Sequence, residues 1–339
     1  MHSPVLGFIL VFIAAIAGGG LAVPLKKRRT FELENIYIPS TLVMMVILPL
    51  IMAAFVAPQW MEAVRMAGAR TVWAGVAYGV GWGVGSLLFG YGVTMAGMSV
   101  GFATIMGINT AVGSMLPFLV KSPADLLTPG GLVILGGIAG CVLGVAICGR
   151  AGSLRERAAG APGERRGLGK ALLVCAASGI LASCANLGFA FTSRVGDEAQ
   201  KLGVSPVFST LTSWMPVFLG AAVPLLLWFG GLQIKRGTWR KNVGPEAAHD
   251  WTMGVLMGII WFLATIPYGM GAYYLGRLGT SVGWAVNIAS SLLVANVFGF
   301  LTREWKGAPV RSIRTLYSGL AVLIAAIVLL AVGSAMIGT

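Results

Sequence analysis

Ten apolar runs, each long enough to cross a lipid bilayer as a helix, follow one another through this 339-residue chain. They lie at roughly 5–23, 38–57, 71–91, 98–120, 131–149, 170–193, 207–230, 251–273, 280–301 and 313–337. A helix needs about 17–25 apolar residues to cross the hydrocarbon core. Within that core every backbone N–H and C=O must be paired inside the protein, which selects helices or a closed barrel. Continuous runs of this length select helices. Composition agrees, since 57% of the residues are hydrophobic and 10% are charged, against about 25% charged in a soluble domain. The sequence predicts an all-α integral membrane protein with ten transmembrane helices.

The loops set its direction. Of the 24 basic residues, 18 fall in or at the edges of the loops after runs 1, 3, 5, 7 and 9, and six in the loops after runs 2, 4, 6 and 8. Loops rich in Lys and Arg stay in the cytoplasm, so both termini are expected outside. The net charge of +13 belongs to these loops, and no soluble basic groove remains to hold a nucleic acid. In the first run the charges Lys26, Lys27, Arg28 and Arg29 follow the apolar stretch. A secretory signal places them before it, so this run reads as a retained first helix.

The stretch "GMSVGFA" (Gly97–Ala103) returns as "GTSVGWA" (Gly279–Ala285), 182 residues later. Aligned at that offset without gaps, 91–121 and 273–303 agree at nine of 31 positions, and they close on "FLVK" and "FLTR". Each copy sits where the third run of a five-run half gives way to the fourth. The echo predicts two five-helix repeats, 1–149 and 170–339, joined by a flexible basic linker at 150–169, with the two echoed stretches as equivalent helix starts. Five is odd, so the second repeat enters the membrane inverted relative to the first. Inverted repeats are the architecture of secondary transporters, whose halves exchange conformations around a central site. Gly136, Gly140 and Gly144, four residues apart, allow close helix approach, within the monomer or along the seam of a weak homodimer.

Polar groups inside a membrane are costly and mark pathways. Run 4 carries Thr104, Asn109, Thr110 and Ser114, and run 9 carries Asn287, Ser290, Ser291 and Asn296. Run 6 adds Ser178, Ser183 and Asn186. Aromatic residues accompany them: Tyr78 and Trp82 on run 3, Trp214 on run 7, Trp261 and Tyr268 on run 8, and Trp284 on run 9. Hydroxyl and amide groups beside aromatic faces suit a neutral polyol. Singly, each also has a structural reading, because Ser and Thr bond their own helix and Trp and Tyr populate interfacial belts. The expected substrate-binding set is Asn109, Asn287, Thr104, Tyr78, Trp82, Asn186, Trp261, Tyr268 and Trp284.

All eleven acids lie in loops or at run ends. Asp197 and Glu198, just past run 6, are the nearest candidates for proton coupling. They guard the outer mouth if that helix continues for another turn, and are solvated loop charges otherwise. Two histidines, His2 and His249, are too few for a His-based metal site or triad. Cys141, Cys148, Cys175 and Cys184 all lie within apolar runs and read as small packed residues. No metal, cofactor or enzymatic chemistry is expected.

Four stretches point to a family. "VPLKKRRTFELE" (23–34), "YGVTMAGMSVG" (91–101), "GRAGSLRER" (149–157) and "REWKG" (303–307) resemble the L-rhamnose–proton symporter family of the drug/metabolite transporter superfamily, in order and over essentially the whole chain. The resemblance implies a bacterial inner-membrane protein with ten helices, for which the termini expected outside from the basic loops are periplasmic. It implies uptake of L-rhamnose or a related 6-deoxyhexose with a proton, through a cavity lined by both halves. Run 6 departs from the family's pattern, and Asn287 stands where a proton-coupled member would carry a titratable group. A metabolite or drug exporter or exchanger on the same scaffold is the alternative reading. An intramembrane enzyme or a sugar sensor is a third.

Overall fold

The computed structural model describes residues 3–160 and 168–338, with Ala22 described by its backbone only. Ten helices are long and apolar enough to cross a membrane. They are span 1 (Pro4–Lys26), span 2 (Leu33–Val56), span 3 (Ala69–Ala96), span 4 (Met98–Lys121) and span 5 (Pro129–Ala158), followed by span 6 (Leu168–Lys201), span 7 (Pro206–Arg236), span 8 (Ala247–Tyr274), span 9 (Val282–Leu301) and span 10 (Val310–Ile337). Among the described residues there is no β-strand. The chain is a multi-pass membrane protein.

Several helices outlast their apolar runs. Span 5 continues to Ala158, through the first part of the segment expected as a linker. Arg and Glu are good helix formers, and leaving the hydrocarbon does not by itself end a helix. Residues 161–167 of that segment lie outside the described residues. Span 6 bends after Phe191 and resumes as a short helix, Ser193–Lys201. Another short helix, Trp60–Ala67, precedes span 3. These two pack together at one end of the molecule.

Alternate crossing sorts the loops onto two faces. On the basic face, the loop after span 1 meets both the link between spans 7 and 8, through Arg29–Glu246, and the link between spans 9 and 10, through Lys26–Glu304. The other end, the terminal face, gathers Ser3, Ile337 and the Asp125–Arg277 ion pair at 2.9 Å.

The spans of the two halves interleave. Span 3 packs on spans 6 and 7, span 1 on spans 8 and 9, span 2 on spans 7 and 8, span 4 on span 6, and span 5 on span 10. One apolar cluster runs through both halves. The tightest crossing joins spans 3 and 7. A Cβ on Gly79 would stand 2.1 Å from the Val217 carbonyl oxygen, and one on Gly220 2.1 Å from that of Val76. Only glycine permits this backbone contact. Gly140 and Gly144 turn toward Ala326 and Leu323 of span 10, within the monomer.

The two echoed stretches differ locally. Gly97 has φ +94° and is the single residue between spans 3 and 4, so span 4 starts at Met98. Gly279 is helical at φ −56° and lies against the Ala272 carbonyl, and span 9 starts three residues later. Span 2 holds a further irregularity. Past Pro39, Val43–Ile47 forms a π turn, in which the Leu48 N–H bonds back to the Val43 carbonyl.

Candidate functional site

Asn186, on span 6, ties four segments together. Its Nδ2 donates to the Gly113 carbonyl of span 4 at 2.8 Å and to the Thr280 carbonyl before span 9 at 2.7 Å. Its Oδ1 accepts the Tyr268 hydroxyl of span 8 at 2.5 Å. Both side chains are buried, with Asn186 0% and Tyr268 1% exposed. Every hydrogen-bonding group in this knot is neutral.

Aromatic rings surround the knot. Trp284 stands edge-on to Tyr268, with centroids 5.2 Å apart, and its Nε1 donates to the Asn109 carbonyl at 3.4 Å. Its ring lies against Gly113, where any Cβ would collide with it. Trp214 is stacked between Phe189 at 4.7 Å and Phe218 at 5.4 Å. Trp82 and Trp261 meet edge-on at 6.0 Å, and Trp82 also reaches Trp214 at 6.4 Å. Rings from spans 3, 6, 7, 8 and 9 thus form one connected layer.

Some polar atoms here are buried without a partner in the protein. They are the Oδ1 atoms of Asn109 and Asn287, the hydroxyls of Ser114 and Ser290, and Trp214 Nε1. A buried polar group left unpaired costs about 1–3 kcal/mol. Natural proteins carry few, and each calls for an explanation. A bound hydroxylated molecule supplies one.

Of the predicted residues, Asn186, Tyr268, Trp284, Asn109, Trp82 and Trp261 are linked by these contacts. Asn287 shares the first turns of span 9 with Trp284. Tyr78 is half-buried on span 3, its ring 6.1 Å from Phe191. The Thr104 hydroxyl bonds its own helix at the Val100 carbonyl, 2.9 Å away, beside a groove of about 530 Å³ between spans 4 and 5. Asp197 and Glu198 lie in the short helix on the terminal face. Asp197 is exposed, while Glu198 is buried and accepts Lys201 at 2.9 Å, with Arg194 at 3.9 Å. The layer also uses Phe189 and Phe218, which the sequence did not single out, because a phenylalanine in an apolar helix carries no mark of its role.

The basic face is built from charge. Asp250, fully buried at the start of span 8, accepts the backbone N–H groups of Arg29, Thr30 and Phe31 at 2.7–2.8 Å and the Thr30 hydroxyl at 3.0 Å. Glu34 is 1% exposed and faces Arg236 at 3.4 Å and the Thr238 hydroxyl at 3.1 Å. Lys241 holds Glu32 at 2.6 Å and lowers its pKa, and Lys26 does the same for Glu304. An open cavity of about 840 Å³ lies among these loops, away from the aromatic layer.

Comparison with known proteins agrees with this architecture. The family profile described as L-rhamnose-proton symport protein (RhaT) matches residues 2–336. The L-rhamnose-proton symporter of Cronobacter sakazakii is 26% identical over 341 residues, covering 97% of this chain and 98% of that protein. That of Klebsiella pneumoniae is 26% identical over 345 residues, covering 98% and 99%. That of Escherichia coli O1:K1 is 25% identical over 337 residues, covering 97% and 98%. With ten spans, an uncharged aromatic layer and a family match from end to end, the chain belongs to the L-rhamnose-proton symport protein family.

Proposed function

We propose that this protein imports L-rhamnose or a related 6-deoxyhexose together with a proton across the bacterial inner membrane, by alternating access. The observation that carries this reading is the pair of buried, unpartnered amide oxygens of Asn109 and Asn287 on the helices that meet at Trp284, whose ring belongs to the same layer as Tyr268, Trp82 and Trp261. Amide oxygens accept sugar hydroxyls, and ring faces cover the apolar C–H faces of a deoxysugar. A few placed polar groups in an aromatic wall is the usual form of a small-molecule site. The names of the relatives support the same substrate and coupling ion. The site is best suited to a neutral ligand, since no charged residue lies near the middle of a span.

The fold reading is two inverted repeats, 1–149 and 170–339, joined by 150–169, of the drug/metabolite transporter type. Helix pairing supports it. Exchanging each span of one half for its counterpart in the other turns the contact of spans 3 and 6 into that of spans 8 and 1. It likewise turns 4 and 6 into 9 and 1, and 3 and 7 into 8 and 2, and all of these contacts occur. The links follow suit. The link after span 2 packs on the end of span 6 at the terminal face, and the link after span 7 meets the link after span 1 at the basic face. Basic loops favour a cytoplasmic basic face and periplasmic termini.

We read this arrangement as one closed around the aromatic layer, whose Trp82, Trp214, Tyr268 and Trp284 are buried. The Asn186 knot and the Trp214 stack close the terminal side. On that side Glu198, buried and paired with Lys201 and Arg194, is the candidate for proton coupling. The test is counterflow of labelled L-rhamnose in proteoliposomes, with and without a proton gradient. Exchange of the sugar with gradient-driven accumulation is expected. Absence of exchange for every 6-deoxyhexose defeats the substrate assignment. Glu198→Gln is expected to keep exchange and lose accumulation; unchanged accumulation removes Glu198 from the coupling path.

A further inference from the structure

The cavity of about 840 Å³ on the basic face is walled by the loop after span 1 and by the link between spans 7 and 8. Lys26, Arg28, Arg29 and Lys241 line it, against Glu32 and Glu246. Three of the four cations are answered by carboxylates: Lys26 by Glu304, Arg29 by Glu246 and Lys241 by Glu32. Arg28 has no ion-pair partner among the described residues. Its Nε donates to the Phe31 carbonyl and its Nη1 to the Leu25 carbonyl, both at 3.0 Å.

Those two bonds use two of the five guanidinium donors. They fix the half-buried guanidinium against the loop and leave it without a direct ion pair, since Glu32, the carboxylate of the same cavity that feels its charge, is held by Lys241. The loop is itself fixed, because Asp250 holds the next three residues through their N–H groups. A rigid guanidinium with spare donors is matched to the oxygens of a phosphate, which it binds in a forked geometry. Lys26, 60% exposed in its side chain, adds a mobile second cation, since an exposed ion pair holds it only weakly.

We propose that this cavity binds a phosphate group, carried by a soluble anion or by a lipid headgroup, with Arg28 as the anchor. Its walls come from opposite halves of the chain. A ligand there bridges the loop at 25–32 and the link at 241–246, and holds the basic face shut. The bridging consequence rests on the alternating-access reading; the binding does not.

Binding is tested on the full-length protein in uncharged detergent, by thermal unfolding with inorganic phosphate against chloride at equal ionic strength. Phosphate is expected to raise the unfolding temperature. Arg28→Gln is expected to need about tenfold more phosphate for the same rise, the loss of one charge-assisted hydrogen-bonded pair. Should that variant fail to fold, Arg28→Lys, which keeps the charge and loses the fork, carries the same comparison. A second arm compares phosphatidylcholine vesicles with and without phosphatidylglycerol. Stabilisation there, with free phosphate inert, assigns the phosphate to a headgroup. Equal behaviour of phosphate and chloride together with equal behaviour of the two vesicle types overturns the site. So does a variant that responds like the parent. Phosphate enclosed on the basic side is expected to slow sugar counterflow, and binding without slowing overturns the bridging role.

Discussion

At the terminal face, closure centres on one buried amide and a stack of rings, while at the basic face it centres on carboxylates that grip loops. Asn186 makes three neutral hydrogen bonds deep among the spans. The terminal face also carries ion pairs, Asp125–Arg277 and those of Glu198 with Lys201 and Arg194, but they lie apart from that amide. On the basic face Asp250 alone organises three consecutive backbone N–H groups, and Lys26, Arg29 and Lys241 add ion pairs across the halves. Neutral buried bonds are indifferent to salt and to moderate pH, whereas exposed ion pairs are screened by salt. In the transport cycle proposed above, the terminal closure answers to what enters the aromatic layer and the basic closure to the solution bathing it.

Four measurements break or sharpen this contrast, taken here from the largest expected effect. Asp250→Ala takes the acceptor from three backbone N–H groups, one buried and two part-buried, a loss of about 3 kcal/mol, read as a large fall in unfolding temperature in detergent. A variant as stable as the parent would remove Asp250 from the basic closure. Asn186→Leu strands the Tyr268 hydroxyl and two carbonyls, at about 2–3 kcal/mol. It should also expose the terminal side, read by thiol labelling of a cysteine placed beside Trp284. Unchanged labelling would mean that the rings alone close that face. Tyr268→Phe deletes one of the three bonds and costs about 1 kcal/mol, with a matching partial rise in labelling.

Acid is the mildest perturbation. Lys241 and Lys26 depress the pKa values of Glu32 and Glu304. A depressed carboxyl contributes stability that is fully present above its unfolded pKa of about 4.3. The contribution is lost as pH falls through the folded value. Both carboxylates are more than a third exposed, 48% and 37%, so the loss below about pH 4 should stay under about 1 kcal/mol. High salt should mimic it. Neither treatment should alter thiol labelling at the terminal face, and a parallel change there would erase the distinction between the two gates.

The ten spans were legible because apolar length alone specifies them, and each sequence range falls inside its helix to within two residues. Their ends were less so. Charged residues such as Arg155 and Arg157 end an apolar run without ending a helix, and the short helices Trp60–Ala67 and Ser193–Lys201 carry no long hydrophobic stretch to announce them. Tyr268, Trp284 and Asn109 could be picked out as polar or aromatic residues in an apolar setting. The role of Asn186 could not, because two of its partners are the carbonyls of Gly113 and Thr280, and every residue has a carbonyl. The echoed heptapeptides show a similar limit. Ser99 donates to Glu156 at 2.7 Å, whereas Ser281 bonds locally to the Leu278 carbonyl at 2.9 Å, a difference set by what each face packs against the same letters.

The π turn at Val43–Ile47 makes span 2 a matter of helical phase. Each residue of an α-helix advances the side chains by about 100°. Before the turn, Ile36, Pro39 and Ser40 press on Gly254 and Gly258 of span 8. After it, Leu48–Val56 packs mainly on span 7. Deleting one residue from the turn would restore ordinary hydrogen bonding and swing one of these faces off its partner. Span 2 is therefore two short helices sharing an axis, and a substitution on one side of residue 45 says little about the other.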